Sequence, residues 1–176
     1  MKTFIGLLLT ILFSVAYIPS KDNNKILWNK DYSLQWKDFK GPVKENAGYD
    51  AMTAYAVESG KENGKYGIFC YFDRSKSWRV KKKETELLLK HEQYHFNLAE
   101  VYARKIRKQI IEMNLLKDPK QLDKVFKDNL KQLEIDQKAY DKETNHSKVP
   151  ETQTKWENDI DKQLLELNKF SNPLVE

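Results

Sequence analysis

Between Glu84 and Met113 the chain carries neither glycine nor proline, and its apolar residues recur at the period of an α-helix. This stretch predicts one long helix. With His91 set at zero and about 100° per residue, Leu87, Leu88, Tyr94, His95, Leu98, Tyr102 and Ile106 fall within about 60° of it. These residues define the face expected to be buried.

In the middle of that face, His91-Glu92-Gln93-Tyr94-His95 reads H-E-x-x-H. Two imidazoles four residues apart on a helix point the same way and can share one metal ion. Glu92 lies about a quarter-turn round, where a carboxylate can take a proton from water activated by that ion. The motif uses two of the three histidines in the chain. A catalytic zinc site needs three protein ligands and an open position. The third ligand is expected from Tyr140-Asp141-Lys142-Glu143-Thr144-Asn145-His146, read as a loop that folds back over the long helix. His146 is the expected ligand, since neutral imidazole suits zinc. Asp141 and Glu143 are the alternatives, either of which would also suit holding a ligand imidazole in its tautomer. Glu100 follows the motif closely but sits about 180° from His91, so it is expected in solvent or paired with Arg104 at i+4.

The rest of the chain divides by pattern. Residues 26–80 read as β-rich. Ala51 to Glu58 alternates as one strand, Glu62-Asn63-Gly64-Lys65 is a turn signal, and Tyr66 to Asp73 reads as the partner strand of a hairpin. Ser77 to Val80 suggests one more short strand, able to present an edge to an extended peptide. Trp36 and Trp78 are expected in the core or the wall of a cleft. Residues 83–170 read as helical. Pro119 follows Asp118 at a favoured first-turn position, and that helix is expected to run to about Ala139 with Leu122, Phe126, Leu130 and Leu133 inward. Residues 140–149 look like a loop. Pro150 opens a last helix with Trp156, Ile160, Leu164 and Leu167 on one face. The expected fold class is α+β: a small N-terminal antiparallel sheet packed on the H-E-x-x-H helix and two further helices.

The N-terminus bears on location. Met1-Lys2 is followed by an apolar run from Phe4 to Tyr17, with Ser14-Val15-Ala16 as a cleavage signal. Residues 1–16 therefore read as a signal peptide and residues 17–176 as one domain, secreted or periplasmic. The run is about 15 residues, short of the roughly 20 a bilayer-spanning helix needs, so membrane anchoring is expected only if it stays uncleaved. Cys70 is the only cysteine, which excludes an internal disulfide, and it reads as a small buried hydrophobe. Lys and Arg exceed Asp and Glu by five. Arg104, Lys105, Arg107 and Lys108 are expected on the wet side and end of the long helix, and no nucleic-acid partner is expected.

H-E-x-x-H on a helix resembles the zincin metallopeptidases. The larger pattern resembles a bacterial family, long described as of unknown function, whose members are described as predicted secreted zinc-dependent proteases. The pieces that carry the resemblance are Leu34-Gln35-Trp36-Lys37-Asp38-Phe39-Lys40-Gly41, then Ser77-Trp78, then Leu88 to Phe96 through the motif and on to Ala103-Arg104. Tyr140 to His146, with Gln153 and Trp156, complete it. That family usually has glycine after the final histidine, where this chain has Ser147. The resemblance implies a zincin-like fold, Zn2+ as cofactor and a peptide or protein substrate. In that scheme Glu92 takes the proton of the attacking water and passes it to the leaving amine. Tyr140 is a candidate donor to the developing oxyanion, or else a packed core tyrosine. The alternative reading is a secreted binding or structural module that retains a zinc site.

Overall fold

A computed structural model describes residues 23–175. The proposed signal peptide, residues 1–16, lies outside the described residues. Among those described, no helix is long and apolar enough to cross a membrane.

The architecture is α+β, as the pattern predicts. Strand β1 (Lys25–Leu27) pairs antiparallel with β4 (Lys65–Asp73), which pairs antiparallel with β3 (Tyr55–Glu62), giving the order β1-β4-β3. The β3–β4 hairpin turns through Asn63 and Gly64 alone, both at positive φ (52° and 82°). Two-residue loops with φ above zero at both positions match the twist of antiparallel strands, and Asn-Gly is their best sequence. A second, two-stranded sheet joins β2 (Ala51–Met52) to β5 (Trp78–Arg79).

The single strand expected over Ala51 to Glu58 is in fact two strands in two sheets. The break falls at Thr53-Ala54, where the Ala54 amide donates to Ser77 Oγ and the Ala54 carbonyl accepts from the Asp73 amide. The alternation persists through the break because each short piece still buries alternate residues. The pattern therefore reads as continuous although the backbone changes partner.

Helix α1 (Glu86–Glu112) is capped by Thr85, whose hydroxyl accepts from the Leu88 amide at 3.1 Å. It packs on β3 and β4 and also on α2 (Pro119–Thr144) and α3 (Pro150–Glu166). Val57, Ile68, Cys70 and Phe72 from the sheet meet Leu98, Val101, Tyr102 and Ile106 in one core. Cys70 is fully buried there and free, and burial pushes its thiol up in pKa.

Three helical expectations are corrected. Leu87 is 37 % exposed: periodicity gives the side a residue faces, not how far along the helix a neighbour reaches. Arg104 and Arg107 are not on a wet face but buried, at 3 % and 1 % exposure. With layers on opposite sides of α1, its far face is also interior. Glu100 is buried between the two guanidiniums, 2.9 Å from Arg104 Nε and 2.8 Å from Arg107 Nη1. Arg107 also donates to the Ile68 and Phe170 carbonyls, so each of its three guanidinium nitrogens has a partner. Finally, α2 does not stop at Ala139. It runs to Thr144 and ends on Asn145, whose φ of 46° is left-handed. Only residues 145–149 separate α2 from α3.

Candidate metal centre

Because α2 is longer than the apolar pattern implies, its last two turns lie across α1 at the H-E-x-x-H motif. The inward stripe of α2 runs Leu133, Gln137, Tyr140, Thr144, all buried. Polar residues replace aliphatic ones where the stripe meets His91 and His95.

The two imidazoles converge as the spacing predicts, with Nε2 to Nε2 at 3.0 Å. Asp141 Oδ1 lies 3.2 Å from His91 Nε2 and 3.1 Å from His95 Nε2. His146, in the short loop after α2, places Nδ1 3.0 Å from the same oxygen. His91, Asp141 and His146 each offer a donor atom within 4.8 Å of the others. Asp141, an alternative on sequence grounds, is thus the hub of the group, and His146 joins it from the outer side. Glu143 does not converge: it is exposed and accepts from Trp156 Nε1 at 2.8 Å.

This donor set fits a zinc-type ion. Bonds of about 2.0–2.2 Å to imidazole nitrogen and carboxylate oxygen need donors roughly 3 to 4 Å apart. Burial lowers the His91 pKa to about 4, so its ring is neutral and its lone pair is available at neutral pH. His95 shifts the other way. Burial lowers its pKa, but the Asp141 hydrogen bond and the Glu92 and Asp141 charges outweigh that and raise it. Burial pushes the Asp141 carboxyl up, yet the hydrogen bonds with His91 and His95 hold it well below the usual carboxylate range.

Glu92 is 2 % exposed, and its Oε2 makes no hydrogen bond. Burial pushes its carboxyl up, against the lowering effect of the His95 charge. Thr53, in the break between β2 and β3, donates through Oγ1 to the Glu92 backbone carbonyl at 3.0 Å. Tyr140 is fully buried, stacked on His91 with centroids 4.5 Å apart and edge-on to His95 at 4.9 Å. Its hydroxyl and His91 Nδ1 are both buried without a partner. Orphaned polar atoms of this kind are rare in folded proteins, and here they gather on the motif.

Sequence reasoning missed three contributors. Gln137 contacts His95 through both ends of its amide. It lies in the inward stripe of α2, one turn before Asp141, where a polar residue interrupts the apolar period. Thr53 hid inside an alternating strand. Tyr49, in the loop before β2, stacks between Trp78 and His146 at 5.4 and 5.1 Å and so forms the outer wall. Nothing in the order of residues announces that.

Residues 72–147 match a family described as a bacterial protein of unknown function (DUF922). The matched segment runs from the end of β4 to the residue after His146 and contains every converging donor. No curated protein and no solved structure matches the chain.

Proposed function

We propose that this chain is an exported, zincin-like zinc hydrolase acting on peptide bonds, with the ion held by His91, His95 and Asp141. The observation that carries the reading is the convergence of two imidazole nitrogens and a carboxylate oxygen within 3.2 Å of one another. Beside them, the buried Glu92 carboxylate keeps one oxygen uncommitted. When bound, zinc supplies Lewis acidity, which acidifies water and polarises a carbonyl.

The chain's own residues do the rest. Glu92 accepts the proton of the attacking water and delivers it to the leaving amine. A carboxyl raised by burial is suited to hold that proton in between. Burial also raises the Tyr140 pKa, so its hydroxyl stays protonated and is available as a donor to the developing oxyanion. Export rests on the short basic start and apolar run of residues 1–17.

The test is zinc content and cleavage of a mixed peptide library by the purified mature chain. Glu92→Gln is expected to keep stoichiometric zinc and fold while losing at least about 100-fold in hydrolysis. A second reading, a binding or structural module with a closed site, draws support from His146 as a fourth donor. Stoichiometric zinc with no cleavage, and a Glu92→Gln protein indistinguishable from the parent, would decide for that module.

A further inference from the structure

We propose that Gln137 is a positioning residue that fixes the tautomer of His95 and so keeps the His95 Nε2 lone pair turned toward His91 and Asp141. The amide of Gln137 is held at both ends. Its Nε2 donates to the His95 backbone carbonyl at 2.9 Å. A carbonyl can only accept, so the amide nitrogen must lie on that side, and the amide oxygen must face the ring. That oxygen is in hydrogen-bond contact with His95 Nδ1. Oxygen of an amide cannot donate, so Nδ1 must carry the hydrogen. A neutral imidazole with its hydrogen on Nδ1 has its lone pair on Nε2. That Nε2 lies 3.0 Å from His91 Nε2 and 3.1 Å from Asp141 Oδ1. This carboxylate oxygen competes for a ring hydrogen but is shared with His91 Nε2 at 3.2 Å and His146 Nδ1 at 3.0 Å, whereas the Gln137 oxygen serves His95.

Gln137 is itself buried, so bulk water does not compete for either end of the amide. It lies one helical turn before Asp141 on α2, just as His91 lies one turn before His95 on α1. Two facing i,i+4 pairs thus meet, one offering imidazoles and the other a carboxylate and the amide that orients a ring. His91 lacks an equivalent: its Nδ1 has no partner, and the Tyr140 ring stacks on it instead. The direction of the hydrogen bond separates orientation of a ligand from simple tethering of α2 to α1.

The metal part of this inference rests on His95 being a ligand, as proposed above; the tautomer part does not. The first measurement is therefore made on metal-free, 15N-histidine-labelled protein above the midpoint of the His95 ring. Multiple-bond 1H–15N correlation is expected to show His95 protonated on Nδ1 and bare on Nε2. An Nε2–H tautomer in the parent protein overturns the proposal, whatever the metal content. The second measurement is the zinc dissociation constant. Gln137→Met, which cannot accept from Nδ1–H, is expected to mix the tautomers and weaken zinc about 10- to 100-fold. Gln137→Glu restores an acceptor and is expected to stay close to the parent in both readouts. Equal losses in Gln137→Met and Gln137→Glu would mean that Gln137 only tethers the helices, and would overturn the proposal. If Gln137→Met does not fold, the parent spectrum and Gln137→Glu still decide. A parent protein with the Nδ1–H tautomer but no zinc affinity would remove the metal reading and leave the orientation of His95 standing.

Discussion

Three consecutive residues, Asn145, His146 and Ser147, adopt left-handed backbone conformations, with φ of 46°, 50° and 70°. Asparagine takes this region readily, because its short amide can bond locally, but each other L-residue there costs roughly 1–2 kcal/mol. The cost is accepted where it sets His146 against Asp141 within a five-residue connection. Strain of this kind collects where a side chain must be aimed. Ser147 lies one step beyond the ligand candidate, and the family this sequence resembles usually has glycine there. The φ of 70° is a physical reason for that glycine. Ser147→Gly is therefore expected to stabilise the fold by about 1 kcal/mol, less than the full strain because glycine also frees the unfolded chain. Thermal unfolding of the metal-free protein should show a rise of about 2–4 °C. No change, or a fall, would mean that the loop does not hold this conformation in solution.

The turn that links β4 to β5 belongs to the next level of organisation, since it carries Trp78 to the wall of the site. Asp73 Oδ1 accepts from the Ser75 amide and hydroxyl at 3.0 and 2.6 Å and from the Lys76 amide at 3.2 Å. Burial pushes the Asp73 carboxyl up, but the Ser75 hydrogen bonds and the Lys76 ammonium, 3.0 Å from Oδ2, outweigh it and hold the pKa below its ordinary value. A carboxyl depressed on folding contributes stability above its unfolded pKa of about 3.9, and that contribution is lost as pH falls through the folded value. Asp73→Asn should therefore cost about 1 kcal/mol near neutrality by urea denaturation. The gap from the parent should close as pH falls below about 3.9. A pH-independent gap would rule out the carboxylate as its source. Elements marked by a local signal, the apolar period of α1 and the Asn63-Gly64 turn of the hairpin, were legible in the sequence. The last two turns of α2 were not, because Gln137 and Asp141 face the site and so break the apolar period that marks a helix. The burial of Arg104 and Arg107 was hidden for a different reason. Helical spacing shows that they share a side with Glu100, but only the layer beyond them shows that this side is interior.

Taken together, the converging donors come from three separate places: α1 gives His91 and His95, α2 gives Asp141, and the α2–α3 connection gives His146. An ion that binds them would tie these parts together and stabilise the folded chain by mass action, about 2.7 kcal/mol at a free concentration 100 times the dissociation constant. Zinc should therefore raise the unfolding temperature and a chelator should lower it. How the loss is shared among single variants then distinguishes an open site from a closed one. Asp141 Oδ1 lies within 3.2 Å of all three imidazoles. His146 reaches the group through Asp141, and its side chain remains 33 % exposed and stacked on Tyr49. If three ligands and an open position make the centre, Asp141→Asn should weaken zinc by at least about 100-fold. His146→Ala should then cost about tenfold and leave peptide cleavage measurable. If instead four ligands close the sphere, His146→Ala should cost as much zinc affinity and thermal shift as His95→Ala. Competition with a chromophoric chelator measures all three variants on one axis. Equality of His146→Ala with His95→Ala would make His146 a full ligand and move the reading from hydrolase to structural centre. A shortfall of tenfold or more would leave His146 as the outer group that an incoming substrate can displace.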